Sequence, residues 1–462
     1  MSDLFSSLTS AARALDAQRY GLDVAGQNIA NVNTPGYSRR TIDLQAVAPD
    51  GAGSAGRGVD VVGVRALRDR LLETRLQQEV PAQQRELAMA GALSVVEAAI
   101  GTPGSSIDMS LQNFYDAFAR LSESPVSATG RQDVLLQADT LADGFRDMAS
   151  RLASAGFDAD RQVRDSVEEI NGLIEQIRAL NVSIARSPSL EASLHLRDDQ
   201  TRLVRLLSEQ VNVHVLDRPE GGVDLSIGNG RPLVIGETKY DLTVTSVAPT
   251  GYAALGINGT TVTSEITGGR LGGLLRVRDV NIPDYQSSLD DLAFEVANQV
   301  NALHTAGFDQ TGAAAGNLFA FSTPPVGTAG AAAALIVDPA VAADARLVAA
   351  AGIANGGDNQ TARAIAALRE QPVLSGGTAT LSDAWGQLVY RVARDTRSAT
   401  DESDSRQAIV DQVDALRDQV SGVSLDEEAM HLLKFQRAFE ANARFFSVID
   451  QTLGILLDSV GR

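Results

Sequence analysis

The sequence predicts a mainly α, multidomain fold: N- and C-terminal helices paired as a coiled coil, an inner helical-bundle domain and an inserted β-rich domain. Three observations predict it. Apolar residues recur at alternating four- and three-residue steps at both ends of the chain, the spacing of a heptad seam. Long blocks of helical periodicity lie between those ends. One central block instead alternates apolar and polar residues between Gly- and Pro-bearing turns, which is strand patterning.

The first seam runs through Leu4, Leu8, Ala11, Leu15, Gln18, Leu22, Ala25, Ile29 and Val32, with Gln18 its one polar lapse. It stops on "NIANVNTPGYSRR", residues 28–40. Pro35 disfavours helical geometry at Thr34, so the helix is expected to end near Asn33. Pro35-Gly36 then supplies the centre of a type II turn across Thr34–Tyr37. "YSRRTIDLQAV" and "GVDVVGV" read as short strands flanking the Gly-rich "GAGSAGRG". Helical periodicity resumes from Ala66 to about Ile100, with a break allowed at Pro81. Further blocks cover Ser106–Leu121 and about Arg131–Ala185, and "LEASLHLRDDQTRLVRLLSEQV" closes this half.

The β-rich block follows, and helix returns at "ITGGRLGGLLRVRD" and continues to about Leu303. The Gly- and Ala-rich stretch 306–357 is read as a hairpin-bearing loop region. Helices at Ser382–Thr400 and Asp404–Val420 are expected next, parted by the polar "DESDSRQ". Ser424 and Glu427 form an S-x-x-E capping box that opens the last helix. Its seam is Leu432, Gln436, Phe439, Ala443, Phe446, Asp450, Leu453, Leu457 and Val460, with a second apolar strip at Leu433, Phe445, Ile449 and Leu456. The expected domains are therefore 1–65 with 421–462 as the coiled coil, 66–210 with 268–420 as the helical domain (its loop and hairpin region about 306–377), and 211–267 as the β-rich insertion. A helix apolar on two sides wants more than one neighbour, and exposing the second strip is a liability in a monomer. That argues for an assembly protein.

Composition narrows the alternatives. A net charge of −19, from 39 basic against 58 acidic residues, repels phosphate backbones and anionic membrane surfaces, so neither nucleic acid nor membrane is expected as a partner. The absence of cysteine removes disulfides, thiolate metal sites and Cys nucleophiles. "MSDLFSSLTSAARALDAQ" lacks the basic and apolar regions of a cleavable signal. No run of about 18 apolar residues is present to span a bilayer. Gly51, Gly53 and Gly56 match G-x-G-x-x-G, but a strand follows where a helix should open, so a loop is the better reading. His195, His214, His304 and His431 are isolated from one another, without zinc spacing, and read as surface or half-buried side chains. The acidic pairs Glu168-Glu169, Asp198-Asp199, Asp290-Asp291 and Glu427-Glu428 read as solvated helix faces. No catalytic, cofactor or metal residues are assigned.

"NIANVNTPGYSRR" resembles the N-terminal signature shared by bacterial flagellar rod, hook and hook-associated axial proteins, and Gly36–Arg39 resembles the hook-associated protein 1 (FlgK) family in particular. "LRDDQTRLVRLLSE", "VDLSIGNGRPLVIG", "GGRLGGLLRVRD" and "SGVSLDEEAMHLLKFQRAFEANARFFSVIDQTLGILLDSV" occur in that family's order, and the resemblance covers nearly the whole chain, least between Thr311 and Gly377. It implies a non-enzymatic structural subunit at the hook–filament junction, self-associating in a ring. Hook protein would lie below, with a second junction protein and flagellin above. It also implies export through the flagellar type III channel without a cleaved signal, and an export chaperone on the C-terminal helix. The terminal helices would form the innermost tube through Leu4, Leu8, Leu15, Leu22 and Ile29 against Leu432, Phe439, Phe446, Leu453 and Leu457. The turn at Asn31, Thr34, Pro35, Gly36 and Tyr37 would send the chain outward. A distal-rod or hook subunit is the alternative, with a flagellum-associated enzyme or adhesin more distant.

Overall fold

A computed structural model describes residues 2–34, 36–48, 57–101, 107–189, 191–219, 221–354, 357–374 and 377–460, the side chains of 2–4, 191 and 457–460 excepted. The chain opens with helix α1, Ser2–Ala30, and a hairpin of strands β1, Arg40–Ala46, and β2, Val59–Ala66. The hairpin is antiparallel from Arg40↔Ala66 to Ala46↔Val59. "GAGSAG", with Gly51, Gly53 and Gly56, lies outside the described residues.

Four helices follow: α2, Arg70–Ile100; α3, Ile107–Glu123; α4, Ala128–Ala185; and α5, Leu194–Gln210. Asp69 caps α2 by accepting the N–H groups of Leu71 and Leu72. The helix then runs unbroken through Pro81, where the sequence allowed a break. Pro81 is buried, and α2 packs along its length on later helices, so tertiary packing outweighs the one missing backbone donor. At 58 residues and about 1.5 Å per residue, α4 is the spine of the molecule.

The insertion holds seven strands: β3 Val213–Asp217, β4 Val223–Ile227, β5 Arg231–Ile235, β6 Thr238–Lys239, β7 Thr243–Val247, β8 Tyr252–Ile257 and β9 Thr260–Thr261. They form antiparallel sheets ordered β3-β4-β5-β6 and β7-β8-β9. Period-two patterning buries Val223, Leu225 and Ile227 of β4, and Ala253, Leu255 and Ile257 of β8. These join the second half of α4 and α5 in one core. Asn181 of α4 ties them together: it donates to Val223 O and Gly236 O and accepts from Val223 N–H and Gln200.

A separate, larger core packs the first half of α4 against α3 and α7. Helix α6, Gly269–Arg276, passes through a π turn, Val277–Asn281, into α7, Ile282–Thr305. The Ala/Gly-rich region contains the expected hairpin, β10 Phe319–Phe321 with β11 Leu335–Val337. It also holds three short helices, α8 Ala331–Ala334, α9 Pro339–Ala343 and α10 Gln360–Ala367. The region is packed: Ala331, Ala332 and Ala350 are fully buried in the larger core. Asp290 steadies it by accepting Gly330 N–H and Ala332 N–H, so this acidic residue is more than a solvated face.

Two further corrections concern the C-terminal third. Helix α11 is a single 41-residue element, Leu381–Ser421, not two. "DESDSRQ" stays helical because it contains neither Gly nor Pro and its charges pair at i,i+4, Arg397 with Asp401 and Arg406 with Glu402, spacing that supports a helix. Helix α12, Leu425–Val460, begins with half a capping box. Glu427 N–H donates to Ser424 Oγ at 3.5 Å, while the Glu427 carboxylate is drawn away to Arg39.

Candidate functional site

The first and last helices pack side by side, as expected. They run antiparallel, since Gly21 meets Phe435 and Asn28 meets Glu428. A Cβ at Gly21 would lie 2.6 Å from the Phe435 ring, so glycine is what permits this approach. The buried arc of α1 is made of small residues and one polar one: Ala11, Ala17, Gly21, Val24, Ala25 and Asn28. It serves two neighbours. Val24 packs with Ile42 and Val64 of the hairpin, while Gly21 faces α12.

The leucine row read from the sequence sits on the flank of this arc, with Leu8, Leu15, Leu22 and Ile29 half-buried. Val32 is also half-buried. On α12 the covered side steps through Glu428, Leu432, Phe435, Phe439, Asn442, Phe446, Ile449 and Leu453, a regular four-three spacing. Phe435 and Ile449 thus take the places that the sequence reading gave to Gln436 and Asp450, which are exposed. The side chains of Leu4 and Leu457, and Pro35, lie outside the described residues.

The opposite side of α12 is also apolar. Met430, Leu433, Phe445, Val448 and Ile455 are each more than half exposed. Of the second strip expected from sequence, Leu433, Phe445 and Leu456 are exposed, while Ile449 turns inward.

Where α1 ends, the signature residues fold back into a polar hub. Asn31 donates to Gln27 O at 2.9 Å, Thr34 Oγ1 donates to Asn31 Oδ1 at 3.2 Å, and the helix closes at Ala30, slightly earlier than expected. Tyr37 N–H donates to Thr34 O at 3.1 Å and Gly36 has φ +84°, the geometry of a turn that demands glycine. At the centre lies Asn28, which uses all of its amide capacity. Its Nδ2 donates to Arg40 O at 2.9 Å and to Glu428 Oε2 at 3.0 Å. Its Oδ1 accepts from Tyr37 OH at 2.9 Å and Arg40 N–H at 3.0 Å.

Charged partners surround Asn28. Arg39 Nε donates to Glu428 Oε1, and its Nη1 to Glu427 Oε2, both at 2.7 Å. Arg39 N–H donates to Ser421 O at 2.9 Å. Asp198 of α5 accepts from Arg40 at 3.0 Å and Arg68 at 2.7 Å. Burial pushes the Tyr37 hydroxyl above its ordinary pKa, with Arg40 opposing, so it stays a donor at neutral pH. The hub clamps α1, β1, α5 and α12 into one register. Sequence reasoning found Asn31, Thr34, Gly36 and Tyr37 but missed Asn28, Arg39, Arg40, Asp198 and Glu428. One signal was available: Asn28 lies one step ahead of Ile29 on a helix whose neighbouring positions are apolar.

Among the described residues of the hub, Asp198, Glu427 and Glu428 are each paired with arginine. His304 is fully buried, contrary to the half-buried reading. Its Nδ1 lies 2.6 Å from Gly316 O, and Nε2 accepts Ala349 N–H at 2.9 Å, so Nδ1 carries the proton and donates, and the ring has a structural role. Among the described residues no group of three His, Asp or Glu side chains could hold a metal ion. No helix among them is long and apolar enough to cross a membrane.

Comparison with known proteins gives three profile matches. A profile described as flagellar hook-associated protein FlgK helical domain matches residues 93–319. One described as flagella basal body rod protein matches 8–37, and one described as flagellar basal body rod FlgEFG protein C-terminal matches 418–459. The chain is 25% identical to flagellar hook-associated protein 1 of Bacillus subtilis, over 100% of this chain and 99% of that protein. It is 25% identical to flagellar hook-associated protein 1 of Escherichia coli, over 98% and 99%. Against the Salmonella typhimurium protein of that name the identity is 28%, over 70% and 60%. Among solved structures, the flagellar hook junction protein FlgK from Burkholderia pseudomallei shares the fold, with a TM-score of 0.67 over 75% of this chain and all of that one, at 16% identity.

Proposed function

We propose that this chain, similar over nearly its whole length to flagellar hook-associated protein 1 of other bacteria, is a structural subunit of the bacterial flagellum that joins hook to filament by polymerising through its terminal helices. One observation carries the polymerisation: α12 is apolar on two opposite sides and α1 covers only one of them. Each large side chain left outside is worth about 1.5–3 kcal/mol when buried, and neighbouring copies supply that burial. The flanking row Leu8, Leu15, Leu22 and Ile29, with Leu4, is assigned to the same layer. So are Leu432, Phe439, Phe446, Leu453 and Leu457, some of which α1 already covers in the monomer.

In this reading residues 1–65 and 421–462 form the inner layer, 66–210 with 268–420 the shell around it, and 211–267 the outward insertion. Hook protein lies below the ring, and the second junction protein and flagellin lie above. An export chaperone holds the C-terminal helix before passage through the type III channel, with no cleaved signal. A rod or hook position is the second reading, favoured by the two rod-protein profiles that match the termini.

Deletion of the gene, with electron microscopy of the cells and an assay of flagellin in the medium, decides between them. Hooks without filaments and with leaked flagellin support the junction. Bodies lacking hooks support the rod or hook position, and intact filaments refute both. Complementation then tests the helix: Phe445→Asp, on the uncovered side, is expected to fold normally yet fail to restore filaments.

A further inference from the structure

A recess of about 700 Å³ lies between the first turns of α2, the face of α5 and the β3–β4 turn. Four arginines line it, Arg68, Arg70, Arg197 and Arg218, against two carboxylates, Glu73 and Asp217. Three of the four are engaged. Arg68 meets Asp198 at 2.7 Å, Arg70 meets Asp217 at 3.5 Å and Arg218 meets Asp224 at 3.2 Å. Arg197 differs: its Nε donates to Ser193 Oγ at 3.2 Å, and no carboxylate pairs with it among the described residues.

The Arg197 fork is also held in place. A Cβ at Gly221 would fall 2.5 Å from Arg197 Nη2 and 2.8 Å from Ile184, so the guanidinium lies against glycine backbone with φ +92°. Burial, reinforced by Arg68 and partly opposed by Asp217, works against its charge, a cost that an arriving anion removes. A guanidinium fixed at the edge of a cavity is the group that binds a carboxylate or phosphate most readily.

We propose that this recess receives a carboxylate presented by a second copy of this chain, docked on Arg197. The inference rests on the assembly reading above. It draws its occupant from charge: with 58 acidic and 39 basic residues, the surface that one copy offers another is rich in carboxylate, and a recess lined by arginine is complementary to it. The recess also communicates with the helix pair, because Asp198, which holds Arg68 at its wall, holds Arg40 of the hub as well. Subunit docking and the register of the terminal helices therefore share one carboxylate.

The test is photo-crosslinking in assembled flagella, with a benzophenone amino acid at Thr201, which lines the recess. A second probe at Phe445, on the outer side of α12, serves as reference. The expected result is a copy-to-copy product from position 201 that maps to an Asp- or Glu-bearing peptide. Arg197→Glu should reduce it by roughly tenfold or more, and Arg197→Lys should reduce it less, with thermal melting unchanged in both. A product at 445 but none at 201, or a product at 201 with a different flagellar protein, overturns the proposal and leaves the assembly reading standing. Loss of copy-to-copy products at both positions counts against the assembly reading itself. Titration of the isolated chain with inorganic phosphate separates the remaining source: Arg197-dependent phosphate binding without a copy-to-copy product at 201 assigns the recess to a free anion and overturns the second-copy docking. If the probe blocks incorporation, filament number per cell in Arg197→Glu and Arg197→Lys strains decides, wild-type numbers in the first overturning the proposal.

Discussion

Asn28→Asp replaces one N–H₂ with an oxygen and leaves the shape of the hub unchanged, which makes it the most informative perturbation available. The new oxygen faces Glu428 Oε2, now 3.0 Å from Asn28 Nδ2. Two full charges at that distance repel by about 5–6 kcal/mol at an effective dielectric near 20. Keeping one carboxyl protonated at pH 7 instead costs about 4 kcal/mol, from roughly 3 pH units above an ordinary aspartate pKa. The cheaper route wins, so the pair holds a shared proton. Arg40 O also loses its donor, adding about 1 kcal/mol.

The expected destabilisation of the helix pair is thus about 5 kcal/mol at pH 7. The carboxyl's folded pKa is raised above its unfolded value, so the folded state binds the extra proton and stability returns as pH falls. At pH 5 the deficit is expected to shrink to about 2–3 kcal/mol. Asn28→Ala, which loses the same bonds without adding charge, should show no such recovery. The assay is hydrogen exchange of amides in residues 11–28 and 428–453, corrected for the intrinsic pH dependence of exchange. Wild-type protection in Asn28→Asp at pH 7, or an equal deficit at both pH values, would refute the argument that Asn28 sets the register.

Gly21→Val drives a branched side chain into the Phe435 ring; overpacking of this kind costs about 1–3 kcal/mol and should raise exchange in the terminal helices while leaving α3 and α7 protected. Burial pushes His304 below its ordinary pKa, so the unfolded chain takes a proton that the folded one refuses. Unfolding free energies from urea titrations followed by Trp385 fluorescence should therefore drop below pH 6.5, by up to about 1.4 kcal/mol per pH unit, and this component should vanish in His304→Gln. Ser403→Pro puts a proline at a buried position inside the continuous α11 and should cost about 3 kcal/mol or more; a melting temperature equal to wild type would restore the two-helix reading of residues 382–420.

The long helices and the β-rich insertion were legible because each keeps one period for many residues, and the terminal pair was legible from its four-three spacing. The precise faces were not. A pattern search weights leucine heavily, and α1 buries alanine and glycine where it meets two neighbours at once, displacing Leu15, Leu22 and Ile29 to the flank. The same weighting tied the α12 seam to Leu432 and Phe439 but carried it through Gln436 rather than Phe435. The hub was invisible for a different reason. Asn28, Asp198 and Glu428 are far apart in the chain, and only the fold reveals that one member of each of two acidic pairs read as solvated, Asp198 and Glu428, is withdrawn from solvent as a partner of Arg39, Arg40 or Arg68.

These two misreadings share a physical cause that bears on function. If large apolar side chains held α1 to α12, the pair would bind firmly but slip readily by a heptad, and little apolar surface would remain for neighbours. Here α1 brings mainly small residues to the large covered side chains of α12, which limits the burial energy of the pair, and the register is fixed by one fully bonded asparagine, the device by which a polar residue in an apolar seam specifies alignment at some cost in stability. The large residues Met430, Leu433, Phe445, Val448 and Ile455 are left outside. On the proposed assembly reading, alignment is settled within one chain and apolar area is left for contacts between chains. Phe445→Asp should therefore abolish assembly with the hub intact, whereas Asn28→Asp should disturb assembly only through the pH-dependent loss of the helix pair, so that acidification rescues the second variant and not the first.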